Sequence, residues 1–155
     1  MEIDLNLADE AATLALGRAL AAGALPGRTL YLRGELGAGK TTLARGLLRG
    51  LGYDGRVRSP TYTLVEPYSI SRLHLYHFDF YRVKDQAEWL SLGFREYFNP
   101  QALCIVEWPE RAGSALPPPD VELELVFSGE GRRAALKAHS AAGDDWLSRL
   151  PAWPS

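Results

Sequence analysis

The chain has 155 residues, 46% hydrophobic and 23% charged, which suits one compact domain spanning residues 1–155 and leaves little room for a second. A net charge of −2 with no basic block argues against strong direct nucleic-acid binding. No run of about 18 apolar residues exists to span a membrane, and the start Met1-Glu2-Ile3-Asp4 is acidic where a secretory signal is basic, so a cytoplasmic protein is expected. The single Cys104 lies inside an apolar run, which excludes a disulfide framework and reads as a small core residue.

In chain order, residues 9–22 read as an amphipathic helix, with Ala12, Leu16, Ala19 and Leu20 on one stripe, Asp9 and Glu10 in the first turn, and Gly23 as its stop. Thr29 to Leu32 reads as a buried strand. It leads into Gly34-Glu-Leu-Gly-Ala-Gly-Lys-Thr-Thr42, a full match to the phosphate-binding pattern G-x-x-x-x-G-K-[ST]. Leu43, Ala44, Leu47, Leu48 and Leu51 then recur at helical spacing, so the motif has the strand before it and the helix after it that it requires. Gly34, Gly37 and Gly39 let backbone N–H groups turn inward on phosphates, and the helix presents its positive end there. Lys40 would reach the terminal phosphates and the Thr41 hydroxyl a Mg²⁺ ion. Only three lysines occur among 17 Lys plus Arg, and a compact ammonium at position 40 is what a narrow loop can wrap.

Residues 53–72 are turn-rich, with Ser59-Pro60-Thr61 followed by a strand-like Tyr62 to Val65. Thr61 admits two readings: a switch residue that completes a Mg²⁺ shell, or part of a simple turn. Leu73 to Phe80 reads as a strand containing Asp79, residues 85–92 as a short helix, and Ala102 to Val106 as a continuous apolar strand that ends in Glu107, the form of a central parallel strand. A phosphate-loop enzyme needs such a strand-end carboxylate to hold Mg²⁺ directly or through water, and Asp79 and Glu107 are the two candidates. His77 shares strand parity with Asp79 and reads as a packed histidine, with a role beside the site as the alternative. After the stiff connector Pro117-Pro118-Pro119, residues 121–127 alternate and turn at residues 128–131 into residues 132–139. The best register of that hairpin sets Phe127 against Arg132 and Glu122 against Lys137. Residues 144–150 read as a terminal helix.

Arg45, Arg49, Arg56 and Arg58 read as a solvated arginine face, with a contact surface for RNA or an acidic partner as the alternative. The guanine-reading pattern Asn-Lys-x-Asp is absent, which argues against GTP. The residues alone therefore point to an ATP-binding α/β protein and leave three roles open: an ATPase, a small-molecule phosphotransferase, or a nucleotide-gated binding module.

Four motifs taken together narrow this. Residues 34–42, Ser59-Pro-Thr-Tyr-Thr-Leu-Val-Glu-Pro-Tyr68, His77-Phe-Asp-Phe-Tyr-Arg82 and Val106-Glu-Trp-Pro-Glu110 resemble, in order and spacing, the bacterial TsaE family, small ATPases of tRNA threonylcarbamoyladenosine biosynthesis. The resemblance implies a three-layer P-loop NTPase-type fold with a central, mostly parallel sheet and an antiparallel C-terminal hairpin. It implies an ATPase that is weak alone and works with the TsaB–TsaD pair, meeting tRNA through that complex. Carried over, Gly34, Gly37, Ala38, Gly39, Lys40, Thr41 and Thr42 would bind the phosphates of ATP, and Thr41 and Glu107 the Mg²⁺. Asp79 would support metal or water, Thr61 would belong to a switch-like segment, and Trp108 would sit beside the site. Glu10 near the base, Glu110 and Arg132 would complete the set.

Overall fold

The computed structural model describes residues 1–153. One sheet of seven strands organises them: β1 (Glu2–Leu7), β2 (Thr29–Arg33), β3 (Val65–Ile70), β4 (Leu73–Asp79), β5 (Ala102–Glu107), β6 (Val121–Ser128) and β7 (Gly131–Ala138), in spatial order β1-β7-β6-β2-β5-β4-β3. The four inner strands β6, β2, β5 and β4 run parallel, and β3, β7 and β1 are added antiparallel at the two sides. β5 is buried at all six positions, as a strand covered on both faces must be.

Alternation along the strands sorts the side chains into two cores. Leu30, Leu32, Leu103, Ile105, Leu123 and Leu125 face helices α1 (Glu10–Leu20) and α2 (Lys40–Gly50) together with Trp146 of α4 (Ala141–Ser148). Tyr31, Phe78, Cys104 and Val106 face the opposite way, onto Trp89 of α3 (Gln86–Ser91) and the short turns around Phe94 and Ala112. Removing each such leucine from water is worth about 2 kcal/mol, so the two cores together drive the three-layer arrangement.

α1 begins where expected because the Asp9 side chain accepts the Ala12 N–H at 2.9 Å, and it tapers into a tighter turn over Ala21–Gly23. α1 and α2 cross in backbone contact. A methyl group on Gly17 would stand 2.2 Å from the Leu43 carbonyl oxygen, and one on Gly46 would stand 2.2 Å from that of Leu14.

The hairpin register is the expected one, Phe127 against Arg132 and Glu122 against Lys137. Three boundaries differ from the sequence expectation. β1 was not anticipated, although residues 2–7 alternate polar and apolar; its partner is β7, which supplies the hydrogen bonds a lone segment lacks. The strand expected over Tyr62 to Val65 starts at Val65, because Leu64 adopts a left-handed conformation with φ +69° and turns the chain before pairing begins. The terminal helix starts at Ala141 rather than Asp144, since Ser140 caps it by accepting the Gly143 N–H at 2.9 Å.

Candidate functional site

β2 delivers the chain to the glycine-rich loop at its C-terminal end. Gly34, Gly37 and Gly39 all have positive φ, and a side chain on Gly34 would strike the Leu125 carbonyl oxygen at 2.7 Å. Gly39 caps α2 in a left-handed conformation and brings no side chain to its first turn, so the free N–H groups there are left for an anion. Lys40 is buried at the start of that helix. Its ammonium donates to the carbonyls of Gly34 and, at 3.0 Å, Glu35, and lies 4.5 Å from the centre of the Trp108 ring. Burial holds its pKa below the usual lysine range, with the negative charge of Glu107 as the main opposing influence.

The parallel pairing of β4 with β5 places Asp79 opposite Glu107, so both acids end at one level beside the loop. Thr41 Oγ1 lies 3.1 Å and 3.3 Å from the two Glu107 carboxylate oxygens, and His77 Nε2 lies 2.6 Å from one of them. Asp79 accepts the Tyr81 N–H at 2.9 Å, and its own N–H donates to the Leu64 carbonyl at 3.1 Å. Burial first, and the nearby Glu107 charge in the same direction, raise its pKa above the ordinary aspartate value. Lys40, Thr41, Thr61, Asp79, Glu107 and Trp108 thus share one cleft of about 270 Å³. Thr61 Oγ1 is 2.7 Å from the Ser59 hydroxyl, and Trp108, directly after Glu107, has φ +56°.

A second cleft of about 170 Å³ opens on the other flank of the loop and gathers Glu10, Gly37, Gly39, Thr42 and Arg132. Arg132 reaches across from β7 to the carbonyls of Ala38 (3.0 Å) and Gly37 (3.2 Å), bracing the loop. Glu10 pairs with Arg45 at 3.3 Å. Glu110 lines neither cleft and instead meets Arg33 at 3.4 Å. The expected arginine face is also partly spent within the fold: Arg49 holds the carbonyls of Tyr53 and Gly55, both at 2.7 Å, while Arg56 and Arg58 stay exposed. The residue whose connection the sequence left undecided is His77; its parity with Asp79 was legible, its bond to Glu107 was not, because that depends on the β4–β5 register.

Known proteins resemble the chain in sequence and in fold. Residues 7–135 match the family model "Threonylcarbamoyl adenosine biosynthesis protein TsaE". The chain is 44% identical over 119 residues to the tRNA threonylcarbamoyladenosine biosynthesis protein TsaE of Haemophilus influenzae, covering 77% of this chain and 75% of that protein. It is 41% identical over 121 residues to the corresponding protein of Bacillus subtilis, covering 78% and 75%. The crystal structure of Bacillus subtilis YdiB superposes with a TM-score of 0.79 at 31% identity, over 97% of this chain and 94% of that one. With the family model matched over most of its length and these relatives sharing both sequence and fold, the chain belongs to the TsaE family.

Proposed function

We propose that the chain is a Mg²⁺-dependent ATPase that acts in the cytoplasm with the TsaB–TsaD pair to sustain N6-threonylcarbamoylation of adenosine 37 in tRNA. Membership in the TsaE family supports the pathway. The observation that carries the chemistry is the approach of Thr41 to Glu107 within 3.1 Å, in the same cleft as Lys40 and Asp79.

The donors suit the metal. Mg²⁺ takes hard oxygen ligands, commonly one or two carboxylates completed by substrate phosphates and water. Here the donors are a hydroxyl and carboxylates, and no cluster of three or more His, Cys, Asp or Glu suited to a metal occurs among the described residues, so phosphate oxygens would be needed to complete the shell. Thr41 and Glu107 would hold the ion, with Asp79 supporting it or the attacking water; the bound ion would supply charge neutralisation on the phosphates.

The chain's own groups do the rest. The free N–H groups at the start of α2 receive phosphate oxygens, and Lys40 exchanges the Gly34 and Glu35 carbonyls for the terminal phosphates. Glu10 and Arg132 flank the opposite cleft, where the base side of ATP would extend from the loop. Thr61 stands where a segment can sense the terminal phosphate, and Trp108 covers Lys40. With no basic block on the chain, tRNA is reached through the partner complex.

The test is multiple-turnover threonylcarbamoylation of tRNA by the TsaC, TsaB and TsaD proteins of the same organism, with the chain added, omitted, or replaced by Lys40→Ala. Sustained product only with the intact chain and hydrolysable ATP is expected. Equal turnover without the chain would overturn the proposal and turn attention to a phosphate acceptor other than water.

A further inference from the structure

We infer that His77 is a positioning residue that fixes the Glu107 carboxylate in the orientation needed to hold the metal. The inference rests on the proposed role of Glu107 as a Mg²⁺ ligand and adds a residue to that site. His77 lies on the same face of β4 as Leu75 and Asp79 and is fully buried, and Glu107 is only 3% exposed. Their 2.6 Å contact is therefore shielded from water, where a hydrogen bond to a carboxylate is strongest.

Two details separate positioning from packing. The Nδ1 atom of His77 is buried with no partner among the described residues, so the ring is a poor choice for filling a core whose neighbour on that face of the strand is Leu75. A leucine there would bring no unpartnered nitrogen but would take from the buried Glu107 carboxylate the partner that the ring provides at Nε2. In addition, His77 takes Oε2, at 2.6 Å, while the Thr41 hydroxyl lies 3.1 Å from Oε2 and 3.3 Å from Oε1. The imidazole thus pins Oε2, and with it the plane of the carboxylate, while Thr41, the second proposed ligand, stands within reach of both oxygens. A carboxylate held in this way loses less rotational freedom when it binds a cation, and partners behind a metal ligand are typically worth about 10–100-fold in metal affinity.

The experiment is a Mn²⁺ titration, Mn²⁺ standing in for Mg²⁺, followed by the electron paramagnetic resonance of free Mn²⁺ in the presence of ADP and the purified chain. His77→Met and His77→Gln are similar in size and unbranched, and only the second keeps an N–H donor. Mn²⁺ affinity is expected to fall by about 10–100-fold in His77→Met and to recover most of that in His77→Gln, with metal-free ADP affinity within about twofold of the parent in both. Parent-like Mn²⁺ affinity in His77→Met overturns the inference, as does an equal loss in a folded His77→Gln. Should His77→Met fail to fold, His77→Gln decides alone: affinity within about threefold of the parent sustains the inference and a loss of about tenfold or more ends it. Absence of Mn²⁺–ADP binding in the parent chain would instead overturn the metal–nucleotide reading itself, so the two failures are distinguishable.

Discussion

Thr41 Oγ1 and Glu107 Oε2 stand 3.1 Å apart although 66 residues separate them in sequence. The contact joins the first turn of α2 to the end of β5, and the proposed Mg²⁺ site draws on both. Glu107→Gln keeps an oxygen that can accept from Thr41 and His77 but removes the charge. The variant is expected to fold, to bind ADP without metal as the parent does, and to lose on the order of 100-fold in Mg²⁺ affinity, about 2.7 kcal/mol. Calorimetric titration of ADP with and without Mg²⁺ checks this.

Gly17→Ala tests the helix crossing. The added methyl group would meet the Leu43 carbonyl oxygen at 2.2 Å, a backbone atom with no rotamer to escape into. Overpacking of this kind destabilises by about 1–3 kcal/mol, read as a lowered midpoint in urea unfolding with an unchanged slope. An unchanged midpoint would mean that α1 shifts freely over α2.

Cys104 is expected to be inert in the folded chain. Burial pushes its thiol up to about 12, and its Sγ donates to the Tyr97 carbonyl at 3.3 Å. The nucleophile is the thiolate, so iodoacetamide at pH 8 should leave the native chain unlabelled and label it fully after unfolding, as mass spectrometry would record. Labelling of the native chain would show that the core around β5 opens.

Asp145 carries a pH-dependent link between α4 and Arg28, the residue before β2. Arg28 beside it, at 2.7 Å, holds the carboxyl below the usual aspartate value, so the link stabilises the fold above the unfolded pKa and fades as pH falls through the lower folded value. Asp145→Asn should therefore melt below the parent at pH 7, with the gap closing as the pH is taken down through the carboxylate range. A gap that widens in acid would contradict the assignment.

Much of this was legible in the residues because the signals were local. The phosphate loop, the runs ending at Asp79 and Glu107, and the alternation of the last hairpin each announce themselves within a dozen residues. What stayed hidden depends on partners far along the chain. β1 became a strand only beside β7, the start of β3 was set by a left-handed Leu64, and the tie between His77 and Glu107 needed the register of β4 against β5. Glu110 belonged to a matching motif, yet Arg33 at the end of β2 draws it away from both clefts. A motif names residue types, while the sheet decides where their side chains end.

The paired glycines of α1 and α2 also bear on how the site can respond to a ligand. With Gly17 and Gly46 seated against the opposing backbones, α1 has little room to shift over α2, which holds Glu10 in place relative to the glycine-rich loop. Thr61 and Trp108 instead sit on connections outside any long helix or strand, Thr61 three residues before the left-handed Leu64 and Trp108 itself left-handed. A nucleotide bound as proposed would meet two close-packed helices on one side and connecting segments on the other, so a difference between triphosphate and diphosphate is expected at the connections.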